Sequence, residues 1–297
     1  MKKIILCLLF SFTLVQAKDA NTQFIDEALK SNDIDKHIVA GLLAKSLELP
    51  YTNQQLYHQA FKLDPNNALL LESLIRFCNN QDSICQQKGK YLKRLEKQDS
   101  KNAIPNLYAI VYFGKNKRYS KALKQLKKAV NKNVFDDYNF KRFFLVDKVL
   151  RNYGYTNSQA KKTASKSIFI DFDNEPIVKI INLCVNQSKI NSQWIEPCIG
   201  LGKVMETSSK MILSTFFGYA IQRDVLALDK NREIEFENVK HRRDVFHQFR
   251  LRAVAKIKYG SLSENTKFDE VPEIFYKEYQ KFGERVALQK ALDRQKI

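Results

Sequence analysis

A short polar motif that recurs at a fixed interval limits this chain more than any other feature of its sequence. KLDPNNA at 62–68 returns as KQDSKNA at 97–103, 35 residues later. Lysine, aspartate and a closing Asn-Ala are kept, so the recurring piece is a turn rather than an apolar run. An interval of this size holds two helices and their connections, and one such hairpin cannot bury its apolar face alone. Neighbouring hairpins must stack and share a core. Glycine and proline are scarce, at 9 and 6 residues in 297, and alternating Val/Ile/Thr runs bounded by turns are rare. The chain therefore reads as all-α.

The residues around the turns refine that reading. Gly41, Tyr57, Ala60 and Pro65 stand where a hairpin repeat needs small residues, an aromatic and a helix break, whereas Asn53 occupies a place where a small residue is usual. Tyr91 follows Tyr57 by 34 residues, and Ser100 replaces the turn proline. In a third unit Ala122, Leu126 and Ala129 give a small, large, small pattern, with the next turn near Val134. Over 37–140 the chain resembles the tetratricopeptide repeat. The resemblance implies a short right-handed α-solenoid, with the first helix of each pair lining a concave side, here near 37–47, 69–77 and 104–113. Tyr108 and Tyr112 in the last segment read either as exposed aromatic anchors or as core. The motif DPNN at 64–67 supplies the joint, because proline removes a helical donor and Asp and Asn bond locally to start the next helix.

Beyond about 153 the repeat is lost. GYTNSQAKKTASKS at 154–167 reads as a linker or a long connection between helices. An irregular helical region then follows, with Pro176 and Pro197 near helix starts, a helix through KMILSTFFGYAIQRDVLAL, another at about 233–258, an interruption at 259–272 and a last helix near 272–293. The expected organisation is a leader at 1–17, a repeat region at 18–153 and a C-terminal helical region at 154–297.

The leader, MKKIILCLLFSFTLVQA, joins two lysines to an apolar core and ends with Val15 and Ala17 at the spacing of a cleavage site. It is shorter than a membrane span and polar residues follow at once, so no transmembrane anchor is expected after cleavage. The expected location is the periplasm. Four cysteines remain, Cys78, Cys85, Cys184 and Cys198, an even number in an oxidising compartment. Three pairings are available. Short loops favour Cys78 with Cys85 and Cys184 with Cys198, and neither pair has zinc-ligand spacing.

A search for chemistry is mostly negative. HExxH, GxSxG, GxxxxGK and a strand-linked GxGxxG are all missing from the sequence. His241 and His247 lie six apart and diverge on a helix. Asp171, Asp173 and Glu175 alternate like calcium ligands, but Pro176 and Asn182 stand where a calcium loop needs glycine and glutamate, so a helix cap is the better account. No catalytic residue, cofactor or metal is expected. The rival reading is an enzyme using acids dispersed in the second half, among them Glu206, Asp224, Asp229 and Glu233.

Charge is the remaining signal. The formal balance is +18. Lys117, Lys121, Lys124, Lys128 and Lys132 fall within an arc of about 80° at helical spacing, opposite a packed face of Tyr119, Ala122, Leu123, Leu126, Ala129 and Val130. This stripe is either a solvated face or an electrostatic surface for an acidic partner. A second basic stretch at 240–258 holds Arg242, Arg243, Arg250 and Arg252, while Val239, Phe246, Phe249, Ala253 and Ile257 form a core-facing stripe rather than a base-stacking platform. Nucleic acid is disfavoured outside the cytoplasm. The expectation is a non-enzymatic helical-repeat protein that binds a protein partner with an acidic surface. One version is an immunity or inhibitor protein against an envelope-targeting toxin. The alternative is an assembly or scaffold factor that binds an anionic envelope polymer.

Overall fold

The computed structural model describes residues 20–46, 53–77, 87–168, 176–257, 271 and 273–294. Among these residues the fold is all-α, fifteen helices packed in neighbouring pairs with no strand. The leader, Cys78 with Cys85, and the acidic cluster Asp171, Asp173 and Glu175 lie outside the described residues.

Two compact units form, each from two stretches of chain: Met1–Lys88 with Arg142–Ile170, and Gly89–Lys141 with Asp171–Ile297. The first contains α1 (20–29), α2 (Ile34–Ser46), α3 (Asn53–Leu63), α4 (Ala68–Phe77), most of α8 (Asn139–Asn152) and α9 (Asn157–Ile168). Helix α2 packs along α3, where a Cβ on Gly41 would lie 2.5 Å from a Tyr57 ring carbon. The glycine and aromatic picked out in the sequence are thus the contact between these two helices. Ala60 is fully buried beside them. Deep in this unit Glu72 of α4 is ion-paired with Arg142 of α8, both inaccessible to solvent. Tyr153 and Tyr155 tie α1 by donating to Glu27 and Asn21, at 2.8 and 2.9 Å.

The segment 154–167, read above as a linker or connection, is mostly helix α9. Its small residues are packing residues: Ala160, Ala164, Ser165 and Ser167 are all buried, and Ser167 returns its hydroxyl proton to the Ala164 carbonyl at 2.8 Å. Small polar composition here marks close helix packing.

The second unit contains α5 (Lys88–Gln98), α6 (Ile104–Lys115), α7 (Tyr119–Val130), α10 (Pro176–Ile190), α11 (Ile195–Ser208), α12 (Ile212–Leu226), α13 (Glu233–Ile257), α14 (Glu273–Phe282) and α15 (Glu284–Arg294). Helices α6 and α7 form a hairpin with Ala122, Leu126 and Ala129 buried at its seam. A second hairpin, α10–α11, packs against it helix for helix, α10 on α6 and α11 on α7. Glycines set both approaches, since a Cβ on Gly114 would meet Leu183 at 2.9 Å and one on Gly200 would meet Val130 at 2.8 Å. Cys184 and Cys198 are bonded, joining α10 to α11 as the short-loop pairing expects.

The recurring turns act as read, and do more. Asn67 Oδ1 accepts the backbone N–H groups of Leu69 and Leu70, both at 3.1 Å, capping α4. Asn102, its counterpart 35 residues on, accepts from Ile104 N and is buried. It also reaches the following turn, donating to Asp136 O at 2.8 Å and accepting from Asp136 N at 3.1 Å. The final helix near 272–293 is two helices, because Gly283 has φ +89, a left-handed conformation that favours glycine and ends α14. The next residue, Glu284, is buried and accepts the Ile212 N–H at 2.9 Å, so it caps α12 from a distance in sequence.

Candidate binding groove

The residues from His37 to Ala44, Leu70 to Ile75 and Ile104 to Ile110 are all buried. The helices expected to line a concave surface are therefore core helices. Tyr108 is 6 % exposed, which is the core account of the two considered. Tyr112 is half-buried, edge-on to Phe113 with ring centroids 5.4 Å apart.

The lysine stripe is present, with changed membership. Lys121, Lys124 and Lys128 project from α7, whereas Lys117 sits in the preceding turn at φ 54 and Lys132 follows the helix. Lys128 bonds Glu96 at 2.8 Å and Lys132 donates to the Ser100 carbonyl at 2.6 Å, so these two help hold α5 and its turn. Lys117, Lys121 and Lys124 are exposed, as is Lys127, which the spacing argument passed over.

A groove of about 620 Å³ opens in the second unit between α13 and α15, with α11 and α12 beneath. Its origin is a close crossing of α11 on α12. A Cβ on Gly218 would lie 2.6 Å from Gly202 O, and one on Gly202 would lie 2.7 Å from Gly218 O, so only glycine at both positions lets the backbones touch. That contact brings Glu206 beside Tyr219 and Gln222. Gln222 donates to Glu206 at 2.9 Å, and Arg242 of α13 grips the same carboxylate through two bonds, at 2.9 and 3.1 Å. Arg242 also donates to Gln222 Oε1 at 3.2 Å, which closes a three-helix polar ring. Fork-on-carboxylate geometry of this kind fixes orientation as well as adding energy. Burial pushes the Tyr219 hydroxyl up to about 12, and the neighbouring Glu206 carboxylate adds to the rise.

The rest of the groove is apolar and aromatic. Phe246 forms the floor, 5.2 Å from Phe216, 6.0 Å from Tyr219 and stacked on Phe249 at 6.0 Å. Arg285 of α15 lies over the Phe246 ring at 5.4 Å, and Arg250 lies over Phe216 at 5.9 Å. At the mouth stand Val245 from α13 and Val286 from α15, 55 % and 40 % exposed.

The sequence named several of these residues without bringing them together. Arg242, Phe246 and Phe249 were read as a basic stretch with a packing stripe, and Val239, Phe246 and Ala253 are indeed buried while Phe249 stays half-exposed. His241 is exposed at the groove edge and His247 lies half-buried against Phe216. Tyr219, Arg285 and Val286 were not singled out. Val245 is an apolar residue off the buried stripe of its helix, a signal it shares with Ile234 and Leu251, which lie outside the groove. The dispersed acids take separate tasks: Glu206 joins the groove, Asp224 pairs with Arg223 at 2.7 Å, Asp229 caps a short turn through Asn231 N, and Glu233 is exposed in the first turn of α13.

Among the described residues no group of three or more His, Cys, Asp or Glu side chains is placed to hold a metal ion, and no helix is long and apolar enough to cross a membrane. No protein family, curated protein or solved structure significantly matches this chain.

Proposed function

We propose that this protein is a non-enzymatic binding protein of the bacterial envelope, exported to the periplasm, in which a tetratricopeptide-like repeat region is followed by a C-terminal helical region that carries a groove for a protein partner. The observation that carries the proposal is the mouth of the groove. Two valines on separate helices stand exposed over an aromatic floor, while the one carboxylate among the described lining residues is already held by Arg242 and Gln222. Exposed apolar side chains grouped over a concavity mark interaction surfaces, and rigid helices hold them in register. The positive charge of the chain favours an acidic partner and speeds the encounter. Within this class, an immunity or inhibitor protein that covers the acidic cleft of an envelope-targeting toxin suits the charge, and an envelope assembly factor is the other version.

A second reading, a scaffold for an anionic envelope polymer, has its own support in the exposed Lys117, Lys121, Lys124 and Lys127. Both can be tested by placing a photo-crosslinking residue at Val245, at Val286 and at Lys124 of the oxidised, mature protein in periplasm. A single stoichiometric protein adduct from the two groove positions is expected. Adducts from Lys124 alone, or no protein above background from the groove, would overturn the groove reading.

A further inference from the structure

Resting on that reading, we infer that the groove receives one acidic amphipathic helix of its protein partner. The walls decide the shape of the occupant. On α13 the lining residues are His241, Arg242, Val245, Phe246 and Phe249, a stripe at helical spacing that runs about 12 Å along the helix. On α15 the spacing of Arg285, Val286 and Gln289 is again that of one helix face. A groove bounded by two helices and open along its length fits a third helix set between their ridges. A small molecule would keep much of its surface wet in so open a site, although the volume falls in the usual ligand range.

Charge decides the sign of the occupant. Glu206 is paired with Arg242 within the polar ring, which leaves the Arg285 guanidinium over Phe246 as the cationic group at the rim. A bound helix would set apolar residues at i, i+3 or i+4, and i+7 against Val245, Phe249 and Val286, and place a flanking carboxylate on Arg285.

The test uses the full mature protein with its disulfide intact and two stapled, fluorescein-labelled peptides. Both carry the same leucine and phenylalanine face, one flanked by glutamate and the other by lysine. Anisotropy is expected to show the glutamate peptide binding at least about tenfold tighter. Val245→Glu, at an exposed position, is expected to remove binding of both while leaving the circular dichroism unchanged. Arg285→Gln is expected to keep the binding but erase the preference for glutamate. Equal binding of the two peptides, or a preference that survives Arg285→Gln, would overturn the inference. Failure of both peptides would also overturn it, and the crosslinker at Val245 then separates the levels: a captured envelope protein leaves the proposed function standing, and an empty lane removes both. Sedimentation that depends on concentration and is abolished by Val245→Glu would identify a second copy as the occupant, also against the inference.

Discussion

Single side chains show why the turn motif recurs. Asn67 and Asn102 hold the same place in the two copies, but Asn67 serves its own helix while Asn102 also clamps the next turn from a buried position. Asn67→Ala is expected to cost about 1 kcal/mol, the usual cost of a lost cap. Asn102→Ala strands buried backbone groups and is expected to cost about 2 to 3 kcal/mol. Urea denaturation of the two variants checks the order, and equal losses would mean that the second turn is a cap alone. Tyr219 gives a prediction of a different kind. Its hydroxyl is raised to about 12 from the ordinary value of 10.0, burial first and Glu206 second. A group raised in this way stabilises the fold below pH 10 and loses that contribution as pH climbs towards 12. Tyr153 is also raised to about 12, so tyrosinate absorbance near 12 is expected to fall but not vanish in Tyr219→Phe, and Glu206→Gln is expected to lower the Tyr219 midpoint without returning it to 10, because burial remains.

At the scale of helices, the crossing of α11 on α12 positions the groove floor. Gly218→Ala would force a Cβ against Gly202 O and Glu206 N, and backbone at that distance cannot yield cheaply. The expected loss is about 2 to 3 kcal/mol, accompanied by loss of peptide binding, as Glu206 and Tyr219 separate. The Cys184–Cys198 bond lies on the other side of α11, towards α10. Its loop is short, so Cys184→Ser with Cys198→Ser is expected to cost about 3 kcal/mol, and thermal unfolding should show this with the groove affinity retained. What the sequence disclosed follows the same division. Hairpin contacts between near neighbours were readable, because Gly41, Tyr57, Ala122 and Ala129 must be small or aromatic to make them. Contacts that join distant stretches left no spacing to read: Gly202 with Gly218, Glu284 on the start of α12, and Arg285 over Phe246 each depend on how helices cross. Helix α9 looked like a linker because serine and alanine serve tight packing and loops alike.

For the whole molecule, electrostatics sets rates more than it sets identity. A formal charge of +18 produces a field that exposed lysines on α7 share, while only a few cations touch the groove. Lys121→Glu with Lys124→Glu is expected to slow association of the glutamate peptide by a few-fold and leave its dissociation rate unchanged, with the difference fading as salt rises. Stopped-flow mixing at several ionic strengths checks this, and a change confined to dissociation would place those lysines in the contact itself. The buried pair of Glu72 and Arg142 matters in another way. The chain leaves the first unit after residue 88 and returns at residue 142, so the carboxylate on α4, which has Arg76 within 4.0 Å on its own helix, meets Arg142 only after the intervening helices have been made. A chain threaded through a membrane pore from its N-terminus would emerge with Glu72 beside Arg76 and ahead of Arg142, which arrives with α8. The first unit must therefore close late, and a fragment ended anywhere between those two residues would carry an acid built for an interior it cannot complete.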